Sequence, residues 1–67
     1  MLDYIITVSF KDGREDMVLS FNTFNNLMYI AGVISRHKEV KGVSIKREDW
    51  GEDIYYVNGE RESAWPE

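Results

Sequence analysis

The feature that most constrains the fold is an alternation that continues across a turn. Leu2, Tyr4, Ile6, Val8 and Phe10 take every second position of residues 2–10, the period of a strand with one face buried. Asp12-Gly13 follows, the dipeptide most favoured in two-residue hairpin turns. A hairpin centred there sets Val8 opposite Met17, Ile6 opposite Leu19 and Tyr4 opposite Phe21. All three apolar pairs share one face. A slip of one residue would turn one strand's apolar set to the other face, so the pattern specifies the register.

That face needs a cover, and the next segment supplies it. Asn22 or Thr23 offers a side-chain acceptor to the free amides of a helix's first turn. From Phe24 to about His37, Phe24, Leu27, Met28, Ala31, Ile34 and Ser35 cluster on one side at 100° per residue. Arg36, His37 and Lys38 suit the negative end of the helix dipole. Gly32 costs about 1 kcal/mol against Ala inside a helix; it either permits a close approach there or has no structural role.

After a loop at Glu39–Gly42, Val43–Glu48 reads as a third strand and Ile54–Val57 as a fourth. A turn centred on Trp50-Gly51 would set Ile45 opposite Tyr56 on the inner side and Lys46 opposite Tyr55 outside, although a longer loop is also open. Asn58-Gly59 is a further hairpin signal. Residues 60–67 are polar and read as a short edge strand or a frayed tail, with Trp65 folding back. The expected fold is α+β, ββαββ: a four-stranded antiparallel sheet of order 2-1-3-4 with one helix packed on one face. The alternative sets the third strand beside the second, in parallel.

Residues 1–67 therefore make a single domain. A chain this short buries only about 60% of the surface its unfolded form exposes. It has no cysteine and one histidine, His37, so neither disulfides nor a His/Cys metal site can staple it. Stability has to come from packing, or in part from self-association. The formal charge of −4 argues against nonspecific binding to nucleic acid or to an anionic membrane, both of which need excess Lys and Arg. No apolar run is long enough to span a membrane, and Met1-Leu2-Asp3-Tyr4 has no basic signal-peptide start. With the absence of cysteine, this suggests a cytoplasmic protein.

Catalytic signals are missing. Nucleophilic catalysis needs an activated Ser, Cys, Thr or Lys with a base in reach, and His37 reads as a helix C-terminal cation. Glu48, Asp49, Glu52 and Asp53 cluster at one turn without the ligand spacing of a calcium loop. Each glycine stands alone, so no phosphate-cradling loop is present. The expectation is a non-enzyme with no cofactor and no metal.

Two surfaces carry more than solvent requires. Tyr29 and Val33, four apart and away from the helix's core side, form an apolar patch flanked by Ile30 and rimmed by Asn25, Asn26, Arg36 and His37. The open sheet face should carry Ile5, Thr7, Val18, Lys46, Tyr55 and Val57. One aromatic and one lysine there make single-strand nucleic-acid binding the weakest reading. Acidic groups at the two hairpin ends are interrupted by Lys11, Arg14, Lys46 and Arg47, so they form no continuous DNA-like stripe.

Ile6-Thr7-Val8-Ser9-Phe10-Lys11-Asp12-Gly13, then Phe21-Asn22-Thr23, a helix with Leu27 and Tyr29-Ile30, and Val43–Lys46 resemble a pattern in small phage and mobile-element proteins of Gram-positive bacteria. The likeness covers residues 4–47; the tail from Trp50 matches no such pattern. It implies a protein made during infection that binds a host macromolecule, as inhibitors of CRISPR nucleases do by occupying a surface. No catalytic residue carries over. The expected function is thus a small binding protein with a protein partner, either a host protein or a second copy. Expected contacts are Tyr29, Val33 and Arg36 on the helix and Trp50, Glu52 and Asp53 at the acidic turn. The alternatives are a self-associating assembly protein and a single-strand nucleic-acid module.

Overall fold

The computed structural model describes residues 2–65; Met1 and the tail's Pro66 and Glu67 lie outside the described residues. Its elements are β1 (Tyr4–Phe10), β2 (Met17–Phe21), α1 (Leu27–Ser35), β3 (Val40–Arg47), β4 (Ile54–Val57) and β5 (Glu60–Glu62). The fold is α+β. One helix lies on a five-stranded antiparallel sheet of order β2-β1-β3-β4-β5. The expected 2-1-3-4 order stands, and the short edge strand extends it by one.

The first hairpin keeps the register set by its apolar pairs: Tyr4 with Phe21, Ile6 with Leu19, Val8 with Met17. Its connection is longer than two residues, however. Beyond it, a bulge at Lys41 of β3 shifts the β1–β3 register, so Ser9 pairs with Gly42 and Phe10 with Val40, and the Lys11 amide donates to the Glu39 carbonyl (2.9 Å). On the β2 side, the Ser9 hydroxyl donates to Asp16 (2.8 Å) in place of a ladder bond. Asp12 accepts the Arg14 amide, and Arg14 lies over the Phe10 ring and donates to Glu39 at 2.8 Å. This last bond, aided by the nearby Asp12 carboxylate, raises the Arg14 pKa above its usual value.

The helix starts three residues later than the expected start at Phe24. Neither Asn22 nor Thr23 is its cap. The chain turns first through Phe24–Asn26, with the Leu27 amide donating to the Phe24 carbonyl, and Asn26 takes the N-cap position at φ 64° without a side-chain cap bond. Asparagine tolerates that left-handed conformation better than most residues. The delay frees the Phe24 ring to leave the helical repeat. It meets Tyr4 at 5.3 Å and Trp50 at 5.9 Å between ring centroids, and Tyr4 and Trp50 close the triangle at 5.8 Å. At its other end α1 stops at Ser35, and i→i+3 bonds from the Arg36 and His37 amides tighten the last turn.

The same aromatic triangle corrects the second hairpin. Ile45 pairs with Ile54 and Val43 with Tyr56, two residues away from the expected Ile45–Tyr56 register. The pairing centres on Asp49-Trp50, one residue before the expected Trp50-Gly51, and residues 48–53 form the longer connection, opened by a bond from the Trp50 amide to the Arg47 carbonyl. A two-residue turn would hold Trp50 at the tip, out of reach of Tyr4. Because the shift is even, both strands keep their faces, and Ile45 and Tyr56 remain inside.

The core is one layer between sheet and helix. Ile6, Val8, Val40, Val43, Ile45 and Tyr56 come from the sheet, Leu27 and Ala31 from α1. Ser35 is the buried polar exception on the helix. Its hydroxyl donates to the Gly32 carbonyl and accepts the Gly59 amide, both at 2.8 Å, so it is fully used. That bond fastens the helix end to the two-residue Asn58-Gly59 turn, where both residues have positive φ.

Candidate functional site

The helix's periodicity separates a committed face from a free one. Leu27, Ala31 and Ser35 are buried, with Phe24, Met28 and Ile34 half-buried beside them. A quarter-turn or more away, Tyr29 is 74% exposed and Val33 52%. Neither is needed to close the core. They form an apolar ridge, and a groove runs along each side of it.

The first groove, about 250 Å³, lies between the ridge and the β4–β5 turn, lined by Met28, Gly32, Arg36, Tyr56 and Gly59 besides the ridge itself. Gly32 leaves it open: a methyl group there would rest on the Tyr56 ring at an ordinary 3.8 Å. Arg36, exposed, supplies a cation at its end. The second groove is larger, about 420 Å³, between the Val33–Ile34 flank and the first hairpin. Val8, Phe10, Met17 and Val40 make its largely apolar floor, with Arg14, His37 and Glu39 at the rim. Apolar surface with a sparse polar rim is what a docking partner can desolvate at low cost.

No family model, curated protein or solved structure matches the chain. The site therefore has to be read from its own chemistry.

Tyr29, Val33 and Arg36, expected as contacts, do come together on this one face. The acidic turn does not join them. Trp50 is half-buried in the triangle with Tyr4 and Phe24, on the helix side of the sheet, so its ring is engaged in packing. Arg47 braces the same cluster: it donates to the Tyr4 hydroxyl at 2.8 Å, and its guanidinium lies 5.0 Å from the Tyr4 ring centre. Its Nε is 2.8 Å from Asp49, but the N–H is not aimed at the carboxylate, so that contact is ionic and not a hydrogen bond. Glu52 and Asp53 border the opposite face, in a groove with Tyr55 and Trp65.

That opposite face is less open than the strand pattern suggests. Trp65 folds back with its ring edge on Tyr55 (5.8 Å between centroids), and Ser44 beneath is buried. Thr7, Ser9, Asp16 and Lys46 complete a shallow polar trough around it. Among the described residues, no three His, Asp or Glu side chains are grouped to hold a metal ion. Among the same residues, no helix is long and apolar enough to cross a membrane.

Three contributing residues were not anticipated from the sequence. Tyr56 and Gly59 line the first groove because the Asn58-Gly59 turn folds beside the helix end, a contact that the turn dipeptide alone does not encode. Met17 enters the second groove because α1 stops short of β2.

Proposed function

We propose that this chain is a non-enzymatic binding protein that occupies a protein partner's surface through the outer face of α1. What supports the reading is the Tyr29–Val33 ridge: two large apolar side chains, mostly in water, on a helix whose stability is secured by its other face. Tyrosine, here on the ridge, and arginine, here at the groove's end, are residue types enriched among those that dominate interface energetics. Tyr29 presents a rigid apolar ring with a polar tip, and the flanking grooves accept partner side chains on either side. The partner class to test first is a host protein of Gram-positive bacteria, given the resemblance to phage and mobile-element proteins, with inhibition by surface occupancy as the mode of action.

The test is a comparison of two proteins with the same fold. Replacing Tyr29→Ala together with Val33→Ala should leave the melting temperature within a few degrees, because both side chains are exposed. It should weaken binding to a partner captured by the wild-type protein from a Gram-positive lysate by about a hundredfold, two hot-spot side chains at ~1–2 kcal/mol each. Wild-type-like affinity in the double variant removes the helix face from the site.

A further inference from the structure

The two edges of the sheet are built differently. β5 closes one edge with three residues, all charged: Glu60, Arg61 and Glu62. Short length and charge are standard defences against unwanted strand pairing. β2 forms the other edge with five residues, Met17-Val18-Leu19-Ser20-Phe21, and has no charge, no proline and no bulge. The helix packs against β1, β3, β4 and β5 but not β2, so it does not cover this edge either. Val18 is 61% exposed on the outer face and Met17 47% on the inner.

We infer that β2 is an interface between two copies of this chain, which pair antiparallel about a two-fold axis at Leu19 to make one continuous ten-stranded sheet. A second copy fits this edge because the strand is self-complementary. Centred on Leu19, the pairing sets Leu19 against its own counterpart, Met17 against the second copy's Phe21, and Val18 against the second copy's Ser20. Every inner-face residue meets an inner-face residue, so both helices lie on the same side of the joined sheet. A one-residue slip would oppose Leu19 with Ser20 and lose that match.

Charge points the same way. Each copy carries −4, which opposes association in general. In this register the flanking acids meet neutral partners: Asp16 falls opposite Asn22, and Glu15 opposite Thr23. No like charges face each other, whereas two β5 edges would bring Glu60 and Glu62 of each copy together. The two-fold interface is isologous, the kind that closes at a dimer and leaves the defended β5 edges outside.

A ladder of five residues buries less than the roughly 1,200 Å² of a standard stable interface. The dimer should therefore be reversible, with a dissociation constant between about 10 µM and 1 mM. Sedimentation equilibrium across that range should show a monomer–dimer equilibrium. Val18→Lys, which puts a charge on the exposed side of the edge, should raise the dissociation constant at least tenfold without changing the thermal melt. Tyr29→Ala with Val33→Ala should leave the dimer intact, which keeps this inference separate from the helix-face reading. In the unmodified protein, amide exchange should slow along β2 as concentration rises, with β5 unaffected. A strict monomer at 1 mM overturns the inference, as does a dimer indifferent to Val18→Lys or one that shows no added β2 protection.

Discussion

At the scale of single residues, two glycines show how the same substitution takes opposite signs. Gly32 sits inside α1 with helical backbone, and an added methyl would touch Tyr56 at ordinary van der Waals distance. Gly32→Ala should stabilise the protein by about 0.5–1 kcal/mol, the helix-propensity difference between the two residues. Gly59 has φ +82°, and a Cβ there would collide with the Arg36 side chain. Arg36 can swing away, but the backbone cannot relax without losing the bond from the Gly59 amide to Ser35. Gly59→Ala should therefore cost about 1–2 kcal/mol. Urea unfolding of the two variants checks both; a loss of stability at Gly32, or none at Gly59, would refute the account of the helix–turn junction.

Elements were legible in the sequence wherever side-chain parity was at stake. The first hairpin's register follows from three apolar pairs that only one alignment satisfies, and α1's buried side follows from its 3.6-residue repeat. The same repeat placed Tyr29, Val33 and Arg36 on one face. Boundaries were less legible because they depend on a contact between distant segments. Phe24 leaves the helical repeat, and Trp50 draws the β3–β4 connection out to six residues, because both rings are claimed by Tyr4. Nothing local to either segment announces that meeting. β5 was hard to read for another reason: an edge strand with all three residues exposed needs no apolar face. The aromatic triangle predicts a division within the acidic turn. Trp50→Ala should cost about 2 kcal/mol, less than a fully buried Trp because the ring is half-exposed. Glu52→Ala, with its exposed carboxylate, should stay within about 0.5 kcal/mol. Equal melts for the two variants would mean that the triangle does not hold the loop.

At the scale of the whole molecule, a 67-residue chain with no cysteine to form a disulfide has about 3–10 kcal/mol of stability to lose. Its single core layer is protected by helix on one face, by Trp65 in part on the other, and by β5 at one edge. β5 contributes little apolar burial, so its value lies in what it covers. Behind it is β4, Ile54-Tyr55-Tyr56-Val57, an uncharged strand of high β-propensity. Ending the chain after Asn58 would remove the charged edge, the Gly59–Ser35 bond and the Trp65 contact together. The shortened protein would then present unpaired apolar strands at both edges, β2 and β4. Two such edges per molecule permit open-ended stacking where one permits only a closed pair. Light scattering on the truncated chain should show growth beyond the dimer at concentrations where the full chain stops there, with a melting temperature lower by several degrees. A truncated chain no larger than the full-length protein at equal concentration would mean that β5 does not act as the guard of this sheet.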